Sequence, residues 1–406
     1  SLSQTEYEYS GTAYTPAVSL VTVATTTVGT ITVPSSGYNV GYSNNTAAGT
    51  ATVTVTGSGN FTGSVDKTFT ITRKPVTNAM IVFDEENFVY DGTAKAPNVT
   101  VKDGTKTLLN TDYTIVIDNA TEVGTYNVVI TGIGNYQDTA SRQFSIVAKD
   151  ANTKFTVELG YATTIFDGSN KTPTVTVKEG STTLAVNTDY TVSFSNNRNV
   201  GTATVTVTGK GHYAGTKTAT FAITKKSLTD GMLTLSSTSF TFNGTNQKPV
   251  ATITDGGIIA ESDYTLTNVG GVNAGTYHVV VSANSTGNYS GSIDKTFTIG
   301  QLDIASATLT LNTLDSYVYD GLVKEPGVKE IKFSDGLIVS ADGYSVAYSN
   351  NLNIGEATVT VTGKVNYTGT KTASFTITPQ PITEEMILLS NEQYVYNGNL
   401  QKPDVI

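Results

Sequence analysis

Residues 201–209 read Gly201-Thr202-Ala203-Thr204-Val205-Thr206-Val207-Thr208-Gly209, and this stretch decides the fold. Its apolar and polar residues alternate strictly, so that Val205 and Val207 face one way and the threonines face the other. A period of two predicts a strand of an antiparallel sheet that has one side on an apolar core. Threonine and valine are β-branched and pack well on a pleated surface.

The segments around this strand follow the same pattern. Thr174–Val177 and Tyr190–Phe194 alternate, and Phe221 and Ile223 repeat the alternation near residue 224. Polar turns separate these stretches, and no window of a dozen residues carries a helical apolar stripe. Six or seven short strands in one unit predict two sheets packed face to face.

An aromatic–X–Gly turn recurs along the whole chain, with its glycines 81, 76, 76, 77 and 77 residues apart. A short polar residue before glycine is typical of a turn in which glycine takes positive φ. The six copies are Tyr9-Ser10-Gly11, Tyr90-Asp91-Gly92, Phe166-Asp167-Gly168, Phe242-Asn243-Gly244, Tyr319-Asp320-Gly321 and Tyr396-Asn397-Gly398.

Further landmarks keep this register, namely a proline after each turn, an Asp-Tyr-Thr strand start, a Gly-Thr or Gly-Glu strand start and a closing Phe-X-Ile strand. Repetition at a fixed period indicates a tandem array of similar domains. The predicted units are repeat 1 (1–73, incomplete at its start), repeat 2 (74–149), repeat 3 (150–224), repeat 4 (225–300), repeat 5 (301–378) and the start of repeat 6 (379–406).

The segments between repeats are short, and none is a Gly/Ser coil. Pro75, Pro379 and Pro381 stiffen two of them. The last strand of one repeat is expected to run almost directly into the next. With a rise of roughly 3.3 Å per residue, a repeat spans roughly 35–40 Å, so five repeats predict an extended rod on the order of 200 Å.

The penultimate strand of two repeats adds a resemblance. Val123–Val128 and Ala274–Val279 look like the Gly-X-Tyr strand of immunoglobulin domains, in which the tyrosine hydroxyl meets a nearby backbone group. The inter-sheet cysteine pair and the core tryptophan of those domains are absent. The resemblance implies an immunoglobulin-like sandwich in the broad sense only.

The whole repeat is similar to repeats of large surface and secreted proteins of gut bacteria. Its Asp-Tyr-Thr-Val, Ser-Asn-Asn, Gly-Thr-Ala-Thr-Val-Thr-Val-Thr-Gly and Asn-Tyr-X-Gly-Thr blocks carry this resemblance, best over residues 168–223. It implies a spacer array beside other modules. Relatives among mucus-binding adhesin repeats have a β-grasp fold, which is the alternative and needs a helix.

Composition excludes several classes of protein. The chain has no cysteine, which removes disulfides, thiolate metal sites and cysteine nucleophiles. Its net charge of −10 disfavours nucleic acid and an electrostatic membrane anchor. No apolar run approaches the roughly 18 residues that span a bilayer. Because Ser1 begins directly in the first repeat, a mature or cloned fragment is expected.

Candidates for chemistry are few, and no catalytic, cofactor or metal residue is predicted. His212 and His278 occupy different repeat positions, and neither recurs beside a nucleophile, so both are expected to be surface strand or loop residues. His212 stands where other repeats have Asn60, Asn135, Asn288 and Asn366. Asp84-Glu85-Glu86 and Glu384-Glu385 could contribute to a calcium site, but a solvated acidic loop is the preferred interpretation.

Other recurring polar residues have structural interpretations. Asp112, Asp189 and Asp263 are expected to cap turns before a tyrosine. Lysines recur beside the proline of each turn, and we expect them to be solvated and not cross-linked to asparagine. These lysines are Lys95, Lys171, Lys248, Lys324 and Lys402.

The sequence therefore predicts a structural spacer or stalk of a bacterial surface or secreted protein, an adhesin in type, and not an enzyme. Its expected partners are other modules of the same protein, with glycan or host surface protein as further candidates. The alternative is a binding module for carbohydrate or a host protein. The 22 tyrosines could stack on sugars, but tryptophan is absent, and most aromatics are expected to pack in cores or at turns.

Overall fold

A computed structural model describes residues 1–19, 21–25, 29–314 and 317–406. The chain divides into two compact units. The first contains Ser1–Ala162, Lys171–Asn197 and Thr202–Ala222, and the second contains Thr163–Asn170, Arg198–Gly201 and Ile223–Ile406. This division does not follow the predicted repeat boundaries, which stay a prediction.

The described residues form an all-β structure of immunoglobulin-like sandwich repeats. In repeat 1 the strands are Glu6–Glu8, Thr22–Thr25, Gly29–Thr32, Tyr38–Ser43, Gly49–Gly57 and Ser64–Thr72. In repeat 2 they are Lys74–Pro75, Ile81–Phe83, Asn87–Val89, Val99–Asp103, Lys106–Thr107, Tyr113–Ile117, Gly124–Gly132, Tyr136–Gln137 and Thr139–Val147.

The same elements recur further along the chain. Strand Lys149–Asp150 crosses the predicted boundary between repeats 2 and 3 and is counted here with repeat 3. The other strands of repeat 3 are Thr156–Leu159, Thr163–Ile165, Val175–Glu179, Thr182–Thr183, Tyr190–Ser195, Gly201–Gly209, Tyr213–Ala214 and Thr216–Thr224. Repeat 4 has Lys226–Ser227, Leu233–Leu235, Ser239–Thr241, Ala251–Ile253, Tyr264–Thr267, Gly275–Ala283, Tyr289–Ser290 and Ser292–Gly300. Repeat 5 has Leu302–Asp303, Thr308–Leu311, Val328–Lys332, Tyr344–Ser349, Gly355–Gly363, Tyr367–Thr368 and Thr370–Ile377.

Repeat 2 shows how the sandwich is built. One sheet has four strands, in the order 113–117, 124–132, 139–147 and 87–89, and the other has three, in the order 106–107, 99–103 and 81–83. Val128 and Ile130 on the first sheet and Ile81 and Val101 on the second are fully buried in one core cluster. The alternation of the sequence therefore places every second side chain of these strands between the sheets.

One edge of the sandwich departs from the antiparallel pairing that the sequence predicted. Strand 87–89 pairs parallel with the closing strand 139–147, and the equivalent pairs in repeats 1 and 4 are also parallel. The reason lies in chain order. Ile81–Phe83 belongs to the three-stranded sheet, and a bend of three residues carries the chain across to the other sheet without reversing it. The next strand therefore runs in the same direction as the closing strand.

Helical segments are short in the described part of the chain. The α-helix Ala151–Lys154 is a single turn, capped by the Asp150 carboxylate that accepts the Asn152 N–H at 3.0 Å. The 3₁₀ turns are Ser35–Gly37, Asn78–Met80, Asp230–Met232, Glu261–Asp263, Ile304–Ser306, Ala341–Gly343 and Glu384–Met386. None of these is the packed helix that a β-grasp fold needs, so the sandwich is the correct alternative. No helix in the described ranges has the length and apolar character needed to cross a membrane.

The immunoglobulin-like tyrosine corner is present in the two repeats where the sequence predicted it. The Tyr126 hydroxyl donates to the Glu122 carbonyl at 2.8 Å, and the Tyr277 hydroxyl donates to the Asn273 carbonyl at 2.8 Å. Gly271 lies against the Tyr277 ring, where an added Cβ would come within 2.1 Å of Cζ. Glycine is therefore required at that position by close packing.

One residue separates each closing strand from the next short strand, as the sequence predicted. The closing strands end at Thr72, Val147, Thr224 and Gly300. We call the short strands that follow the linker strands, and they are Lys74–Pro75, Lys149–Asp150, Lys226–Ser227 and Leu302–Asp303. Each pairs parallel with a two-residue strand of its own repeat. The connection is therefore part of the sheets and not a free loop.

Candidate functional site at the repeat junctions

The junctions between repeats carry the recurring polar chemistry of the structure. Two elements meet at each junction. The first is the aromatic–X–Gly turn of one repeat, whose ring we call the turn aromatic. The second is the two-residue strand of the next repeat, which opens with a tyrosine. We call it the junction tyrosine, and the residue before it the junction asparagine. The junction tyrosines are Tyr136, Tyr213, Tyr289 and Tyr367.

The junction of repeats 1 and 2 shows the arrangement. The rings of Tyr9 and Tyr136 meet edge to face with centroids 5.4 Å apart and an interplanar angle of 78°. Asn135 Oδ1 accepts the backbone N–H of Ala48 at 2.8 Å. Lys106 Nζ donates to the Tyr9 hydroxyl at 3.3 Å. One aromatic pair and one directional hydrogen bond therefore fix the turn of repeat 1 on repeat 2.

The junction of repeats 3 and 4 repeats this geometry within the second compact unit. Phe166 and Tyr289 are edge to face at 5.6 Å and 77°. Asn288 Oδ1 accepts the Val200 N–H at 2.9 Å. The turn aromatic and the junction tyrosine are both buried, so their contact excludes water from the centre of the junction.

The junction of repeats 4 and 5 adds a second amide contact. Phe242 and Tyr367 are edge to face at 5.3 Å and 75°. Asn366 Oδ1 accepts the Ala274 N–H at 2.8 Å, and Asn366 Nδ2 donates to Asn273 Oδ1 at 3.0 Å. Because the asparagine uses both its oxygen and its amide group, this contact defines the orientation of the side chain as well as its position.

The junction asparagine also binds the linker strand of its own repeat. The carbonyl oxygens of Asn135 and Asn288 accept the N–H groups of Lys74 and Lys226 at 3.0 and 3.1 Å. The Asn366 carbonyl accepts the Leu302 N–H at 2.9 Å. One residue therefore holds the preceding repeat with its side chain and the linker with its backbone.

A lysine, a carboxylate and the junction tyrosine form a cluster behind three of the junctions. In repeat 2, Lys74 Nζ lies 2.7 Å from Asp103 Oδ1, and the Tyr136 hydroxyl donates to Asp103 Oδ2 at 3.1 Å. Equivalent clusters are Lys149, Glu179 and Tyr213 in repeat 3 and Lys226, Asp255 and Tyr289 in repeat 4. In repeat 5, the ring of Phe333 stacks beside Tyr367 at 6.3 Å in place of the ion pair.

These clusters shift the ionisation of their members. Burial, followed by the neighbouring carboxylate, raises the pKa of Tyr136 and Tyr213 well above the usual phenol range. Burial and the Asp255 carboxylate raise the pKa of Tyr289 to about 12. The hydrogen bond from Lys149, then that from Tyr213, lowers the pKa of Glu179. The tyrosines are therefore neutral hydrogen-bond donors at ordinary pH.

The junction of repeats 2 and 3 differs, because His212 stands in the place of the asparagine. Its imidazole stacks on the Tyr90 ring with centroids 3.9 Å apart and an interplanar angle of 9°. His212 Nε2 lies 2.7 Å from Glu122 Oε2. His212 is therefore a loop residue as predicted, but the sequence interpretation missed its contact with the preceding repeat. The recurrence of asparagine at this position in the other repeats was the signal that could have indicated a contact between repeats.

The remaining sequence candidates have local partners. His278 lies on strand 275–283 and bonds Asp294 on the neighbouring strand, with Nδ1 to Oδ1 at 2.8 Å. Asp112 and Asp189 cap turns as predicted, accepting the N–H groups of Leu109 and Ala185. Asp263 instead accepts the N–H of Asn288 at 2.7 Å, so it supports a junction and not its own turn.

The acidic and lysine candidates are also engaged within their repeats. The hydrogen bond from the Asn98 side chain lowers the pKa of Asp84, and Glu86 pairs with Arg142. No group of three possible metal ligands occurs in the described ranges. The prediction of a solvated lysine is wrong for Lys324, which is buried and pairs with Asp320 at 2.7 Å, because the turn folds its carboxylate over the ammonium group. Lys95 pairs with Asp91 in the same way at 2.6 Å, whereas Lys248 and Lys402 are exposed.

Two surface pockets are relevant to the alternative that the chain binds carbohydrate or a host protein. A cavity of about 460 Å³ in repeat 1 is lined mainly by apolar side chains, Val18, Val33 and Phe61 among them. A polar cleft of about 570 Å³ lies beside the junction of repeats 3 and 4, near Asp167, Arg198 and Asp255. The exposed tyrosines of the described chain, Tyr319, Tyr394 and Tyr396, lie at neither pocket.

Comparison with known proteins adds one family. The MBG domain matches residues 79–150 and 232–303, which cover most of repeats 2 and 4 and end one and three residues beyond them. Among curated proteins, none matches this chain.

Solved structures give weak likenesses. Invasin, described as a bacterial integrin-binding protein, is 14% identical, with coverage of 84% of this chain and 79% of that chain and a TM-score of 0.22. Drosophila N-cadherin EC1–4 is 12% identical, with coverage of 76% and 100% and a TM-score of 0.19. The protocadherin gammaB7 EC3–6 cis-dimer is 14% identical, with coverage of 72% and 99% and a TM-score of 0.17.

Proposed function

We propose that this chain is a spacer, an extended stalk that holds other modules of the same protein away from a cell surface. The observation that carries the proposal is the recurrence of one junction geometry at successive repeats. At the four junctions among repeats 1 to 5, a turn aromatic packs on an aromatic ring of the next repeat, and a side chain at the asparagine position binds the preceding repeat. A binding or catalytic site would be expected at one place, whereas this chemistry recurs along the chain.

The short linkers between repeats are a second argument for a stiff chain. A flexible joint needs several free residues, but one residue separates each closing strand from the linker strand here. The linker strand is itself hydrogen-bonded to the junction asparagine. Bending at a junction would break an aromatic contact and at least one hydrogen bond between repeats, each worth roughly 0.5–1.5 kcal/mol.

The proposal places the protein on the surface of a bacterium or among its secreted proteins, as part of an adhesin. The support is the MBG match in two repeats and the likeness of the whole repeat to bacterial surface repeats. Folding without disulfides fits this setting, because each repeat buries its own apolar core. Catalysis forms no part of the proposal.

Small-angle X-ray scattering of the full chain tests the proposal. A maximum dimension near the roughly 200 Å expected for five repeats in a row supports a stalk. A compact particle would overturn it and would shift the weight to clefts that bind glycan or protein.

Variants of the turn aromatics test by scattering whether the junctions keep the chain extended. Replacing Tyr9, Phe166 and Phe242 together by serine is expected to shorten and broaden the distance distribution while circular dichroism still reports folded strands. The matched control is Tyr319→Ser, a turn aromatic that is 38% exposed. Equal behaviour of the triple variant and the control would contradict the role of the junctions.

A further inference from the structure

One junction of the array carries a titratable pair of side chains where the junction of repeats 4 and 5 carries a pair of amides. The structural equivalents of Asn366 and Asn273 at the junction of repeats 2 and 3 are His212 and Glu122. Both members of the contact are changed, and the contact itself is kept. An amide pair is neutral at every ordinary pH, whereas an imidazole and a carboxylate change charge.

The geometry suits the charged form of the histidine. His212 Nε2 lies 2.7 Å from Glu122 Oε2, a distance typical of a charge-assisted hydrogen bond. The imidazole lies parallel to the Tyr90 ring at 3.9 Å, on the face that attracts cations. The side chains of His212 and Glu122 are 40% and 65% exposed, so protons reach them without any opening of the repeats.

We propose that the junction of repeats 2 and 3 is a pH-responsive joint, which is held more tightly when His212 is protonated. The pH response depends only on the contact between His212 and Glu122. That it changes the stiffness of a stalk at one place rests on the proposed spacer function.

The titratable side chains in contact with the His212 imidazole come from repeat 2. Glu122 comes from the loop before strand 124–132, and Tyr90 comes from the turn of repeat 2. The backbone carbonyl of His212 accepts the Lys149 N–H at 2.9 Å, and the Lys149 ammonium group is paired with Glu179 at 2.8 Å. Asp91, next to Tyr90, is paired with Lys95.

The direction of the effect follows from these partners. A protonated imidazole attracts both the Glu122 carboxylate and the face of the Tyr90 ring, whereas a neutral imidazole lacks this attraction of opposite charges. The extra stabilisation therefore belongs to the protonated form of His212.

The composition of the chain allows the pH response of His212 to be measured separately from that of other groups. The chain has two histidines, and the other, His278, bonds Asp294 within repeat 4. It has no cysteine, so two introduced cysteines can be spin-labelled without competition. Lys102 in repeat 2 and Thr220 in repeat 3 are exposed positions of the first compact unit.

The experiment measures the distance distribution between labels at Lys102→Cys and Thr220→Cys in the full chain at pH 5.5 and pH 7.5. We expect a narrower distribution at pH 5.5, with a roughly two- to fivefold smaller population of open junctions, the range for an exposed ion pair. His212→Asn, which restores the amide of the other junctions, should remove the pH dependence while keeping the junction closed. Glu122→Gln should weaken it, because the Tyr90 ring still faces the imidazole.

His278→Asn is the matched control and should respond to pH as the parent does. An unchanged parent distribution, or a response that survives in His212→Asn, would overturn the proposal. The scattering dimension of the full chain is measured separately. A compact chain with a pH-dependent junction would contradict the spacer function and support the pH-responsive joint. An extended chain without pH dependence would support the spacer function and contradict the pH-responsive joint.

Discussion

At the scale of single residues, the junction asparagine connects three segments with one side chain and one carbonyl. Its amide oxygen accepts a backbone N–H of the preceding repeat, and its own carbonyl accepts the linker N–H. The contact depends on an amide group, because an aliphatic side chain offers no acceptor and would leave the backbone N–H unpaired.

Replacing Asn288 by alanine should therefore loosen the junction of repeats 3 and 4. We expect a loss of roughly 1 kcal/mol and faster amide exchange at Val200, whose N–H loses its acceptor. Hydrogen exchange followed by mass spectrometry measures this directly. The matched control is Asn60→Ala, the same repeat position in repeat 1, where the side chain is exposed. Equal protection of Val200 in wild type and Asn288→Ala would contradict the assignment.

The ionisation of Tyr289 gives a second prediction at this scale. Its pKa is raised to about 12, compared with about 10 in an unfolded chain. Below pH 10 both states hold the proton and the stabilisation is complete. Between pH 10 and pH 12 the unfolded state releases its proton first, so the free energy of unfolding should fall.

Denaturant unfolding at pH 9, 10 and 11 checks this expectation for Tyr289. Tyr289→Phe should be less stable than wild type at pH 9, because it loses the hydrogen bond to Asp255, and it should lose less stability between pH 9 and pH 11. Parallel curves for the two proteins would show that the tyrosine does not carry the alkaline transition.

At the scale of elements, strand periodicity was sufficient to place the sheets. Val205 and Val207 are fully buried, as their alternation predicted, and the closing phenylalanines Phe69, Phe144, Phe221 and Phe297 are in the cores. The parallel edge strand could not be predicted in the same way, because alternation says which face is apolar but not which neighbour pairs or in which direction.

The contacts between repeats could not be predicted from the periodic pattern either. Asn135 and its partner Ala48 are 87 residues apart, and each looks like an ordinary turn residue in its own repeat. The recurrence of the Asn-Tyr block showed that the position matters, but not whether it serves its own repeat or the neighbouring one. Only the stacking of one repeat on the next distinguishes these two roles.

Core truncation on the penultimate strand is the prediction for this scale. Ile130 is fully buried between the sheets of repeat 2, so Ile130→Ala should destabilise that repeat by about 2–5 kcal/mol through lost burial and a cavity. The control is Val116→Ala on the neighbouring strand, where the side chain is 65% exposed and the expected change is within about 0.5 kcal/mol. Comparable effects on urea unfolding would contradict the assignment of the core face.

At the scale of the whole molecule, stability in an array is a sum of repeat terms and nearest-neighbour terms. A junction contact belongs to both of its repeats. Phe242 lies in repeat 4 but packs on Tyr367 of repeat 5, and both rings are buried.

Phe242→Ala should therefore increase amide exchange in two repeats, at Val281 in repeat 4 and at Val361 in repeat 5, with a total cost of about 3 kcal/mol. Distant repeats should keep their exchange rates. Tyr319→Ala is the control, because this turn aromatic is partly exposed. Increased exchange confined to repeat 4 would mean that the junction does not couple the repeats.

The parallel pairing of strand 87–89 with the closing strand 139–147 has a mechanical consequence. If tension is applied along the chain, the early strand of a repeat is drawn from its amino end and the closing strand from its carboxyl end. Two parallel strands drawn in opposite directions must slide along each other, so their hydrogen bonds are loaded together in shear. Antiparallel strands pulled from the same end would instead be peeled apart one bond at a time. The edge that departs from the antiparallel pattern is thus the one oriented to resist a pulling force.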